Sequence, residues 1–122
     1  MQIRISYHGM DPSEALAEFI HLRAAQLEHL SDRIHSLRVV VDAPHQSHRH
    51  GNRYAVRLEI REPRDKVVVG SDGNDAATSE DVYQAIRRAF DTARRQLHTA
   101  RTLRTGRQRA HNDTRRSIRL GR

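Results

Sequence analysis

The chain has 122 residues, with 22 lysines and arginines against 15 aspartates and glutamates, a formal net charge of +7. It contains no cysteine, which excludes disulfides, thiolate catalysis and cysteine-ligated zinc. No apolar run is long enough to span a bilayer and the first residues lack a charged-then-apolar leader, so the expectation is a single cytoplasmic domain rather than a membrane or secreted protein.

Residues 2–7 alternate so that Ile3, Ile5 and Tyr7 share one face, as in a half-buried strand, and Gly9 ends it. Asp11 then reads as an N-cap, Pro12 as the first helical residue and Glu14 as its capping-box partner, opening a helix that runs to about Leu30. Leu16, Phe19, Ile20, Leu27 and Leu30 form the inward face of this helix. Arg23 falls near the middle of that apolar face, where a charge must pair or extend its head past the packing surface. Residues 37–43 read as a second strand ended by Pro44, and 44–53 as a polar loop. Residues 54–61 alternate strictly, with Tyr54, Val56, Leu58 and Ile60 inward. A turn at Pro63 leads to a short fourth strand, 66–70, and then to a loop over 71–79.

The stretch 79–104 has the strongest helical pattern. Val82, Ile86, Ala89, Phe90, Ala93 and Leu97 form one apolar stripe, with Thr78 and Ser79 as the expected N-cap and Glu80 and Asp81 in the first turn. At about 100° per residue, Arg87, Arg94, His98 and Arg101 share one flank, while Arg88 and Arg95 lie on the other. The alternative reading of these cations is an ordinary solvated helix face. Beyond residue 104 apolar periodicity is lost, so 1–104 is read as the folded domain and 105–122 as a basic tail, disordered in isolation.

The order β-α-β-β-β-α, with one wet sheet face, predicts an α+β two-layer sandwich: a four-stranded mixed sheet with both helices on the other face. Strands one and two should be parallel, because a helix lies in the crossover between them, and the rest antiparallel.

Charge is unevenly placed. Residues 101–122 hold eight arginines and Asp113 as the one acid, so residues 1–100 carry 14 basic and 14 acidic side chains and are neutral. A basic tail on a neutral domain points to a polyanionic partner, meaning RNA, DNA or a nucleoprotein. No glycine-rich phosphate loop, nucleophile elbow or acid–base pairing is present, so an enzyme and a small-molecule substrate are not expected. His45, His48 and His50 lie close enough to ligate a metal, but no second ligand set follows; they are a weak metal candidate, and no cofactor is expected. On the wet sheet face Arg4, Arg38, Arg53, Arg57, Arg61 and Lys66 stand against Asp42 and Glu59 with no aromatic ring to stack a base, so the helix side is the better phosphate surface.

Several short motifs, in order, resemble one family. They are the opening Met1-Gln2 strand, Glu14-Ala15-Leu16 with Glu18-Phe19, Leu27-Glu28 with Asp32-Arg33-Ile34, Asp81-x-Tyr83-x-Ala85-Ile86, and Asp91 followed by Arg95-Gln96-Leu97. Together they make residues 1–104 similar to the ribosome hibernation-promoting factors, also called ribosome-associated translation inhibitor, protein Y or sigma-54 modulation protein. The His-rich loop and Glu80-Asp81-Val82-Tyr83 look closest to a branch whose members often carry a cold-shock-like domain downstream, which the short polar tail is not expected to supply. The resemblance implies a fold similar to double-stranded-RNA-binding domains. It also implies docking on the small ribosomal subunit and its 16S rRNA, where messenger and transfer RNA would sit, so that translation is inhibited by occupancy. Stress or stationary-phase expression and a monomeric free protein go with it. Arg23, Arg33, Arg95 and Arg101 stand where the family tends to be basic, Arg87 and Arg94 are additions in the same band, and Gln26, Thr92 and Thr99 replace lysines common in relatives. The expected RNA-binding set is therefore Arg23, Arg33, Arg87, Arg94, Arg95, His98, Arg101 and Arg104. The alternatives are a protein-interaction module of the sigma-54 modulation type, or a nonspecific nucleic-acid binder acting through the arginine-rich tail.

Overall fold

The computed structural model describes residues 1–31, 33–44, 52–70 and 76–119, with side chains throughout these ranges except at Asp65, Arg101 and positions 104–119. Along the chain run β1 (Gln2–His8), α1 (Glu14–Leu30), β2 (Ser36–Asp42), β3 (Tyr54–Glu62), β4 (Lys66–Val69), β5 (Ala77–Ser79) and α2 (Val82–Arg119).

The sheet has the order β1-β2-β3-β4, and β5 adds to β3. β1 and β2 are parallel, as the helical crossover between them requires, with Ile3, Ile5 and Tyr7 opposite Leu37, Val39 and Val41. β2 and β3 are antiparallel over their whole length. The far edge of β3 is shared: β4 pairs with Ile60–Glu62, and β5 pairs with Tyr54–Val56. The sheet thus gains a fifth strand inside the stretch read from sequence as loop. Three residues are too few for alternation to register, and pairing with the otherwise open end of β3 is what makes them extended.

Both helices cover one face. Leu16, Ile20, Ala24 and Leu27 of α1, with Ala85, Ile86, Phe90, Ala93 and Leu97 of α2, close over Leu37, Val39, Val41, Val56, Leu58 and Ile60 of the sheet. Each large aliphatic side chain so buried contributes on the order of 1.5–3 kcal/mol, so this seam is what sets the two helices in place. Leu30, expected inward, is 38% exposed, because α1 ends there and leaves the sheet. The outer sheet face is not uniformly wet either, since Val40 and Ala55 are buried on it.

Both helix starts differ from the sequence reading by a few residues. Ser13, not Asp11, caps α1, and its Oγ accepts the Leu16 N–H at 3.3 Å. Asp81 opens α2: its Oδ1 accepts from the Tyr83 N–H at 3.0 Å, and its carbonyl accepts the first helical bond, from Ala85. Thr78 and Ser79 belong to β5, from which the Ser79 Oγ accepts the Asp81 N–H. Gly9, at φ +74°, supplies the left-handed residue that turns the chain out of β1.

α2 continues as helix to Arg119, where the sequence reading ended the folded domain at 104. Residues 105–119 contain no proline, the residue that would break the helical ladder, and five arginines, which are compatible with helix; Gly106 costs about 1 kcal/mol without ending it. The same residues have no apolar stripe, so intrinsic propensity rather than a packed seam is what favours helix there.

Candidate nucleic-acid interface

The two helices run in the same direction. Phe19 meets Tyr83 edge-to-face at 5.1 Å between centroids, Arg23 further along α1 meets Asp91 further along α2, and Gln26 and Leu30 border a groove with Arg94. Later positions of α1 therefore meet later positions of α2. The groove between them, about 220 Å³, has Leu27, Leu30 and Phe90 as its apolar part and Arg23, Gln26, Asp91 and Arg94 as its polar part.

Each expected site residue has a definite place. Arg87 lies over the Phe19 ring, its Cζ 5.4 Å from the centroid, and donates to Gln84 Oε1 at 3.4 Å. Arg94 lies one turn beyond Asp91, exposed and without an acid partner among the described residues. His98 follows on the same flank, also exposed. Arg33 is exposed in the turn after α1, past the end of the groove. The side chains of Arg101 and Arg104 lie outside the described residues, as do His45, His48 and His50. Among the described residues no group of three His, Asp or Glu side chains could hold a metal.

Two expected members are not free elements of the groove. Arg23 donates from Nη2 to Asp91 Oδ1 at 3.0 Å, and its Nε is buried without a hydrogen-bond partner among the described residues. A charge placed on an apolar helix face thus resolves as an ion pair across the helix seam. Arg95 points off the groove and donates to Thr92 Oγ1 at 3.3 Å. On the same side Arg88 donates to the Thr78 carbonyl and links α2 to β5. The sequence reading left Asp91 out of the site, although at about 40° from Arg87 on the helical wheel it borders the cationic band. Laying the acids as well as the bases on the wheel shows it.

What this arrangement offers is a helix flank with one paired guanidinium, one stacked on an aromatic ring and one free, followed by an exposed imidazole. Such a flank can hold phosphate oxygens by charge-assisted hydrogen bonds. Among the described residues no helix is long and apolar enough to cross a membrane.

By architecture the chain falls in a class of small α+β domains with solved members. It is similar to a ribosomal subunit interface protein from Coxiella burnetii, with TM-score 0.67 and 18% identity over 84% of this chain and 99% of that one. It is also similar to the Protein Y N-terminal domain of Thermus thermophilus, with TM-score 0.63 and 19% identity over 80% of this chain and 96% of that one. The family model of the sigma 54 modulation protein / S30EA ribosomal proteins matches residues 3–104, and the chain belongs to that family of ribosome-associated factors. No curated protein gives a significant match.

Proposed function

We propose that this protein is a hibernation factor that docks on the rRNA of the small ribosomal subunit and inhibits translation by occupying the channel for messenger and transfer RNA. The observation that carries this reading is the unpaired Arg94 at the mouth of the helix–helix groove, between the Arg23–Asp91 pair and exposed His98, on a chain of a ribosome-associated family. Arg87 enters binding with less rotamer freedom left to lose than free Arg94, since it is already seated on Phe19. Exposed Arg33 adds a cation past the end of the groove, and the arginines of residues 101–122 add charge that is not specific to sequence. The action is occupancy, with no reaction and no cofactor, in the cytoplasm, by a protein that is monomeric when free and made under stress or in stationary phase.

Cosedimentation with small subunits tests it. The triple variant Arg87→Ala, Arg94→Ala, Arg101→Ala should bind at least about tenfold more weakly while keeping its circular dichroism, because charge-assisted contacts contribute roughly 1.5–3 kcal/mol each. Unchanged cosedimentation of that variant defeats the groove as the docking surface. The excess charge of residues 101–122 also favours a second reading, nonspecific nucleic-acid binding through the tail. A protein-interaction module would instead show little salt dependence and no competition from RNA.

A further inference from the structure

We propose that the outer face of the sheet carries a second phosphate site, in which Arg4 and Arg38 hold a backbone phosphate of bound RNA. The inference rests on the reading above that the partner is RNA, and concerns the face of the protein opposite the helices.

Arg4 of β1 and Arg38 of β2 are direct neighbours in the parallel register, and both are exposed. Adjacent strands lie about 4.8 Å apart, and like charges directly opposite one another destabilise a sheet. A natural remedy would be an acid between or beside them, and the face has two, both engaged elsewhere. Glu59, opposite Arg38 across β2 and β3, accepts from Arg61 Nε at 2.7 Å. Asp42 is shared by His8 at 2.9 Å and Arg57 at 3.2 Å. Arg4 and Arg38 are left with no hydrogen-bond or ion-pair partner among the described residues.

The pair lines a shallow depression of about 310 Å³ in which Arg4, Arg38 and Arg61 face the single carboxylate of Glu59, a net charge of +2. Gln2 and Ser36 border it with neutral donors. Two guanidinium forks side by side, with a hydroxyl and an amide at the margin, match the several acceptor oxygens of a phosphodiester and relieve the mutual repulsion of the pair. Among the described residues no Phe, Tyr or Trp lies on this face and His8 is held by Asp42, so the contact of the arginine pair is to backbone phosphate and independent of sequence. A protein with phosphate contacts on both the helix flank and the sheet face is held between two RNA segments rather than laid on one.

The test compares wild type, Arg4→Gln/Arg38→Gln and Arg87→Ala/Arg94→Ala in binding to small subunits across a salt series. The sheet variant should bind about tenfold more weakly, and its log–log salt slope should fall by roughly one, since each phosphate neutralised accounts for about 0.9. Unaltered affinity and slope in the sheet variant, with the helix variant weakened, overturn this site and leave the helix reading standing. Failure of wild type to bind RNA or small subunits overturns both. A second measurement avoids any question of folding: titrating the wild-type protein with pyrophosphate should shift the guanidinium NMR signals of Arg4 and Arg38 ahead of that of exposed Arg53. Shifts no larger than at Arg53 overturn the proposal.

Discussion

On the helix side Arg23 is held by Asp91 and Arg87 lies on Phe19, while on the sheet side Arg4 and Arg38 stand opposite one another with the nearest acids already taken. The two surfaces have nearly the same residue types and opposite construction. The helix side has Arg23 and Arg87 fixed by contacts between the two helices, so most of its shape is set before any partner arrives. The sheet face pairs Arg57 and Arg61 with acids but leaves the neighbouring Arg4 and Arg38 without one, so its electrostatic demand is concentrated there although its shape is plainer. A count of arginines cannot separate the two, whereas a list of what each guanidinium already touches can.

The strongest way to break the comparison is to remove the seam. Phe90 is buried beneath the groove and is part of the core shared by both helices and the sheet. Phe90→Ala should destabilise the domain by about 3–5 kcal/mol in urea or thermal unfolding. Both surfaces should then lose function together as the fold melts. Loss of one surface at an undiminished unfolding midpoint would show that Phe90 is not a common support.

A smaller change isolates both folded surfaces from the tail. Residues 105–122 contain six arginines and one acid, so truncation after Arg104 removes most of the excess charge. Affinity for small subunits should fall by roughly ten- to a hundredfold with a flatter salt slope, while preference for small subunits over bulk RNA persists. If that preference disappears with the tail, neither folded surface is a docking site. The melting temperature should hardly move, since the stretch has no apolar stripe with which to join the core.

Much of the scaffold behind this comparison was legible from the residues alone. Alternation at Ile3, Ile5 and Tyr7, the 3.6-residue stripe from Val82 to Leu97, and a helix in the first crossover lead to the observed layers and to the parallel β1–β2 pair. β5 was not legible, because its three residues are extended only through pairing with Tyr54–Val56. The cap positions slipped because Asp11, Ser13, Ser79 and Asp81 are all competent acceptors, and tertiary pairing chooses among them. In the site, the cationic flank could be read from the wheel, but the Arg23–Asp91 bond could not, since it joins positions 68 residues apart. The isolation of Arg4 and Arg38 was equally hidden, because it depends on how Glu59 and Asp42 are used across three strands.

The Asp91 carboxylate gives the finest test of the difference between the two faces. It borders the cationic band, 52% exposed, and its oxygen accepts from Arg23, which is 23% exposed. An ion pair of this exposure stabilises by about 0–1 kcal/mol, so Asp91→Asn should lower the unfolding free energy by less than about 1 kcal/mol. The same change removes a negative charge from beside Arg94 and frees Arg23 to meet a phosphate, which makes the helix flank resemble the sheet face in its uncompensated charge. Binding to small subunits should then tighten by about two- to fivefold at low salt, with the gain fading as salt rises. The opposite outcome, weaker binding at unchanged stability, would mean that Arg23 must be held by the carboxylate to present its surface correctly. In that case the pair is part of the docking geometry and not a competitor to it, and Asp91→Glu rather than Asp91→Asn should restore affinity.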